Sequence, residues 1–182
     1  MTTKVVMIGP PHSGKTTLAN YLADATDSTS GEYHPTSGVR ILEFSCNLPD
    51  SKAVDIELWD CGGNPQNEPC WPAIARGAAA LILVANADIP DSESQFLEML
   101  YLRFAAQHGL KESQCAVFLN QVGESTEKVG KVPAMLTKVP HEIVSMENGS
   151  NVHAAFCRAV SSALTTQSEE WKKGENQILS VQ

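Results

Sequence analysis

Residues Gly9 to Thr16 read GPPHSGKT, and these types at this spacing point to phosphate chemistry. In the pattern G-x-x-x-x-G-K-[ST], a glycine-rich turn offers consecutive backbone N–H groups to an anion, while a lysine and a hydroxyl complete the cradle. The turn would start at Gly9, and the backbone of His12, Ser13, Gly14, Lys15, Thr16 and Thr17 would wrap the phosphates. Lys15 would bridge the outer two phosphates, and the Thr16 hydroxyl would ligate Mg²⁺. The plainer alternative is a glycine turn between a strand and a helix. Against it stands the lysine, which has little structural use under a tight loop without an anion to pair with. His12 could add charge as a cation, although a simple loop contact also accounts for it.

A second constellation lies in WDCGG, residues 59 to 63. An Asp at a strand end followed by glycines is usually only a turn. This one falls 44 residues after Thr16, where a GTPase reads its metal and γ-phosphate. Asp60 would hold Mg²⁺ through water, and the Gly63 N–H would touch the γ-phosphate. Between the two, Thr36 follows Thr16 by 20 residues, a length that fits a helix plus a loop supplying another Mg²⁺ ligand.

The elements that must position these groups follow from hydrophobic patterning. Apolar runs of strand length occur at 4–9, 39–44, 54–60, 79–86, 115–120 and 142–145. Helical spacing appears at Leu97, Leu100, Tyr101 and Phe104, and at Val152, Phe156 and Val160. Strands alternating with helices imply an α/β fold, a mostly parallel sheet covered on both faces. The second and third runs are joined by a short loop, so they predict a hairpin with one antiparallel edge strand. The expectation is about six strands and about five helices, the fourth shortened by Gly130, Pro133 and Pro140. Residues 1–167 are read as one domain and 168–182 as a polar tail expected to fray.

The totals narrow the function classes. A chain of 182 residues that is 42% hydrophobic fits one domain, and its net charge of −8 with 13 scattered Lys and Arg argues against a nucleic-acid surface. Five cysteines without a C-x-x-C pair suggest reduced thiols rather than a disulfide framework or a zinc site. His34, His108, His141 and His153 lack metal spacing, and Glu93, Glu98, Glu169 and Glu170 read as solvated helix faces. No signal peptide, membrane span or lipidation motif is expected, so the chain is read as soluble, without a direct lipid anchor, and monomeric in isolation.

The segments IELWDCGG, RGAAALILV and SMENGSNVHAAF, together with the phosphate loop, resemble the Rab-like small GTPases over residues 4 to about 165. GPPHSGKTTLANYL, PTSGVRILEF, ELWDCGG, CWPAI and NADIP are most similar to the divergent Rab-like subunit of intraflagellar transport complex B. The resemblance implies the P-loop small-GTPase fold, GTP or GDP with Mg²⁺ as ligands, and docking on the coiled-coil heterodimer of that complex's core. It also implies a place in the cytoplasm, basal body and cilium or flagellum.

Departures from the family pattern qualify this. Where Asn-Lys-x-Asp reads guanine, the chain has Asn120, Gln121 and then Gly123 in place of the carboxylate. A site that loses a hydrogen-bonding group loses much of its discrimination. Ser145 and Met146 stand where the family's Ser-Ala-Lys loop begins, and the Met146 N–H can still donate to guanine O6. Thr29 replaces an aromatic that packs on the base. Asn64, followed by Pro65, replaces the water-orienting Gln, so hydrolysis is expected to be slow at most.

The stretch GGNPQNEPCWPAIARG carries three prolines, and Cys70, Trp71 and Ile74 within it could form an apolar docking patch. Trp71 could equally tuck onto the domain's own core. The sequence thus supports a nucleotide-dependent binding switch first and a nucleotide-independent adaptor second. A small-molecule kinase or ATPase ranks last, for want of an Arg-bearing lid.

Overall fold

The computed structural model describes residues 2–25, 34–49, 53–121, 132–146 and 149–179, without the side chains of 91, 92, 149, 150 and 176–179. Six strands form one sheet: β1 (Thr3–Ile8), β2 (Val39–Asn47), β3 (Ala53–Cys61), β4 (Ala80–Asn86), β5 (Cys115–Gln121) and β6 (His141–Ser145). Their spatial order is β2-β3-β1-β4-β5-β6. The β2–β3 pair is antiparallel and the other pairs are parallel, as the hairpin reading expects.

Burial explains which strands are central. β1, β4 and β5 are near-continuous apolar runs, as strands covered on both faces must be, whereas β2 alternates half-buried and exposed residues along the sheet edge. The two-residue period splits the core. Val5 and Met7 face one layer, with helices α1 (Lys15–Leu22) and α4 (Gly149–Leu179) supplying Leu18, Leu22, Val152, Phe156 and Val160. Val6 and Ile8 face the other, against α2 (Trp71–Ala75) and α3 (Asp91–Phe104), with Trp71, Ile74, Leu97, Leu100 and Phe104. Each fully buried Leu or Phe contributes about 1.5–3 kcal/mol.

β1 lies between β3 and β4, so the chain leaves it toward one edge and later crosses to its other side. The loop after β1 therefore opens at the point where strand order reverses, the place where open α/β sheets hold their ligands.

One expectation about a helix needs correction, and another falls largely outside the described residues. Ser168 onward does not fray among the described residues: α4 continues through it to Leu179, with every described side chain from Gln167 to Glu175 exposed. The Glu, Lys and Gln that make this stretch polar are also good helix formers. Lys111 pairs with Glu170, and Trp171 Nε1 donates to Glu175 Oε1 at 3.1 Å one turn on. The short fourth helix expected between β5 and β6 falls largely on residues 122–131, outside those described. Beyond them the chain forms a single 3-10 turn, Ala134–Leu136, ahead of Pro140.

Candidate nucleotide and metal site

The phosphate loop is built around one glycine requirement and one amide. Gly14 caps α1 with φ of 79°, a left-handed backbone, and a Cβ there would stand 2.2 Å from Asn120 Nδ2. That amide, buried at the end of β5, donates to Ser13 O at 3.0 Å and ties the loop to the sheet. Asn120 Oδ1 is buried and accepts no hydrogen bond, an acceptor of the kind a ligand N–H satisfies. His12 also has positive φ (61°), a region His tolerates better than most side chains, and its ring is exposed. Thr17 is exposed in the first turn of α1.

Lys15 is buried, and its Nζ donates to Pro10 O at 2.6 Å and Ser13 Oγ at 3.2 Å. Burial pushes its ammonium down to about 8, while Asp60, Cys61 and Glu93 act in the opposite direction. Glu93 is therefore not the solvated surface group expected: it is partly buried, and its Oε2 is enclosed without a hydrogen bond.

Three oxygens from distant parts of the chain converge beside this loop. Thr16 Oγ1 donates to Asp60 Oδ2 at 2.8 Å and lies 2.8 Å from Thr36 Oγ1. Since Thr16 has one hydroxyl proton, Thr36 is left to donate to it. Asp60 is 0% exposed. α1, the segment before β2 and the end of β3 each supply one donor, and the set of two hydroxyls and a carboxylate suits a hard cation such as Mg²⁺. Among the described residues no cluster of His, Cys, Asp and Glu offers a metal site, so hydroxyl oxygens are what distinguish this one. Gly63 closes the site: a Cβ on it would stand 2.2 Å from Gly9 O, so the Asp-x-x-Gly turn packs directly on the phosphate loop.

Asn120 and Gln121 end β5 beside Val144 and Ser145 at the end of β6, and partly buried Met146 comes next. The residues proposed to read a base thus share one rim of the sheet. Gly123, Thr29 and Glu147 lie outside the described residues.

Asn64 departs from the role expected of a worn catalytic residue. Its side chain accepts from Gln66 N at 2.9 Å and caps the 3-10 helix Pro65–Cys70. Trp71 and Ile74 depart further. Trp71 is 2% exposed and packs on Phe104 with ring centroids 5.5 Å apart, and Ile74 is buried beside it. The proposed patch therefore presents only Cys70 on the surface. Packing on the core, not the prolines, turns Trp71 and Ile74 inward, for Pro65, Pro69 and Pro72 are themselves exposed.

Arg40 has no part in the phosphate-loop or Asp-x-x-Gly motifs. It stands across the β2–β3 ladder from Asp60, its Nη1 3.9 Å from Asp60 Oδ2, and its Nη2 donates to Asn20 Oδ1 at 2.7 Å.

Comparison with known proteins gives this geometry a lineage. Residues 4–123 match the model of the Roc, or Ras of Complex, domain of DAPkinase. The intraflagellar transport protein 22 homolog of Xenopus tropicalis is 43% identical over 136 residues, 72% of this chain and 73% of its own. The chain belongs to the intraflagellar transport protein 22 family. Among solved structures of that family, the T. brucei IFT22/74/81 GTP-bound crystal structure is similar with a TM-score of 0.75 and 26% identity, covering 93% of this chain and 99% of that one. The T. brucei IFT22 GDP-bound crystal structure has a TM-score of 0.70 and 25% identity, covering 92% and 99%. The fold is the small-GTPase fold of the family, with one antiparallel strand pair in an otherwise parallel six-stranded sheet.

Proposed function

We propose that this chain is a guanine-nucleotide-binding subunit of intraflagellar transport complex B, needed for cilium or flagellum assembly, whose bound state governs docking on partner subunits. The convergence of Thr16, Thr36 and Asp60 oxygens beside a phosphate loop carries this reading. The relatives support it, since the T. brucei IFT22 structures are GTP-bound and GDP-bound and the former is an IFT22/74/81 structure. The finer reading is docking on a coiled-coil heterodimer of that complex, in the cytoplasm, basal body and cilium or flagellum.

Backbone N–H groups of residues 12 to 17 receive the phosphates, and Lys15 exchanges its bonds to Pro10 O and Ser13 Oγ for phosphate oxygens. Thr16, Thr36 and Asp60 are the residues that would hold Mg²⁺, which when bound offsets the negative charge of the outer phosphates. Thr36 reports the γ-phosphate to the segment leading into β2, and Gly63 reports it to the segment leading into α2. Asn120, Gln121, Ser145 and Met146 face the base, with Asn120 Oδ1 the acceptor in search of a donor. Hydrolysis is slow, because the Asn64 side chain is engaged with Gln66 N rather than free to orient water.

Calorimetric titration of nucleotide-free protein with GTP, GDP and ATP, each with Mg²⁺ and with a chelator, tests the reading. Guanine-selective binding is the expected result. Equal binding of ATP, or none, would transfer the case to a nucleotide-independent adaptor.

A further inference from the structure

Asp60 is wholly buried, and a buried carboxylate is costly unless a cation answers it. Arg40 is one such cation in this structure, beside the buried Lys15 ammonium on which Asp60 also acts. The β2–β3 register places it directly opposite, and its Nη1 lies 3.9 Å from Oδ2, the same oxygen that accepts the Thr16 hydroxyl. The guanidinium is not a loose surface group, for buried Asn20 on α1 anchors Nη2 at 2.7 Å. Helix and strand together therefore hold a fixed positive charge at the metal-site carboxylate. Two cations contend for one oxygen, the guanidinium and the Mg²⁺ that the donor set fits. The arginine side chain is 38% exposed, so water screens part of its effect without removing it.

We propose that Arg40 sets the metal dependence of nucleotide binding, as a built-in cation that balances Asp60 when Mg²⁺ is absent and opposes Mg²⁺ when it arrives. The proposal rests on the nucleotide reading above. It makes Arg40 a positioning residue, acting through Asp60 without touching the nucleotide. Nucleotide affinity should then depend only shallowly on Mg²⁺, because the site never loses its positive charge.

The test is calorimetry of nucleotide-free full-length protein with GDP and GTP, in Mg²⁺ and in chelator, read as the ratio of the two Kd values. Arg40→Gln should widen that ratio about tenfold, equivalent to about 1.4 kcal/mol, while Arg40→Lys, which keeps the charge, should stay near the unaltered chain. The same ratio for all three proteins overturns the proposal. If Arg40→Gln does not fold, Asn20→Ala unhooks the guanidinium and should widen the ratio in the same direction. Thermal denaturation without nucleotide gives an independent reading: Mg²⁺ should raise the midpoint of Arg40→Gln more than that of the unaltered chain. If the unaltered chain binds no nucleotide in either buffer, the nucleotide reading fails. This thermal comparison then decides the role of Arg40, an equal response in both proteins overturning it.

Discussion

In the free protein Lys15 spends its hydrogen bonds on its own loop, and burial holds its pKa near 8 against an ordinary 10.5. The folded-state value is depressed, so between pH 8 and 10.5 the unfolded chain binds more protons and stability from this group rises with pH. The cost of burying the charged form is present in full below pH 8. An anionic ligand favours the charged form and moves the value back up. Binding should therefore take up about half a proton at pH 8 and almost none at pH 6.5, and affinity should fall as pH rises through 8. Calorimetry in two buffers of different ionisation enthalpy reads this directly, and equal enthalpies at pH 8 would contradict it. Asn120 offers a second residue-level test. Asn120→Ala removes the donor to Ser13 O and leaves a buried carbonyl unpaired, at about 1–3 kcal/mol. The measurement is a urea denaturation midpoint compared with the unaltered protein.

At the scale of elements, Trp71, Ile74 and Ala75 of α2 belong to the core rather than to a docking surface, while the 3-10 helix before them buries no residue. Trp71→Ala should cost about 3–5 kcal/mol, the usual penalty for deleting a buried aromatic, and show as a lower melting temperature whether or not a partner is present. Asn64→Gln should speed single-turnover GTP hydrolysis, because the longer amide no longer caps Gln66 N and is released to orient water, and should lower stability by about 1 kcal/mol. Hydrolysis as slow as in the unaltered chain would show that the engagement with Gln66 N is not what limits it. The sequence made the phosphate loop, the six strands and the hairpin legible, because each rests on local patterning of period 2 or on a spaced motif. Trp71 was not legible: prolines fix local φ but leave the direction of an aromatic to tertiary packing. Arg40 was hidden for a related reason. Its nearness to Asp60 depends on the register of a hairpin, and spacing along the chain does not report register.

For the whole molecule, α4 joins two regimes in one helix. Its first half is core, so Phe156→Ala should cost about 3–5 kcal/mol. The described side chains of its last turns, through Glu175, are exposed, and among the described residues ending the chain after Gln167 removes one contact to the rest of the fold, the Lys111–Glu170 pair, a surface contact of about 0–1 kcal/mol. Chemical denaturation of the two variants should separate them clearly. Polarity made this stretch look like a fraying tail; helix propensity continued it as helix. No helix among the described residues is long and apolar enough to cross a membrane.

The three tryptophans of the chain occupy three different environments, and that gives the molecule an optical signature. Trp71 is sealed at 2% exposure, Trp59 lies beneath the Lys4 ammonium at 3.5 Å, and Trp171 stands 72% exposed on the far end of α4. Emission should therefore resolve into a blue component, a part that depends on Lys4, and a red component open to aqueous quenchers. Trp171→Phe would strip away the red light and leave the other two indoles, one on β3 beside the site and one on α2, to report nucleotide arrival without any added dye.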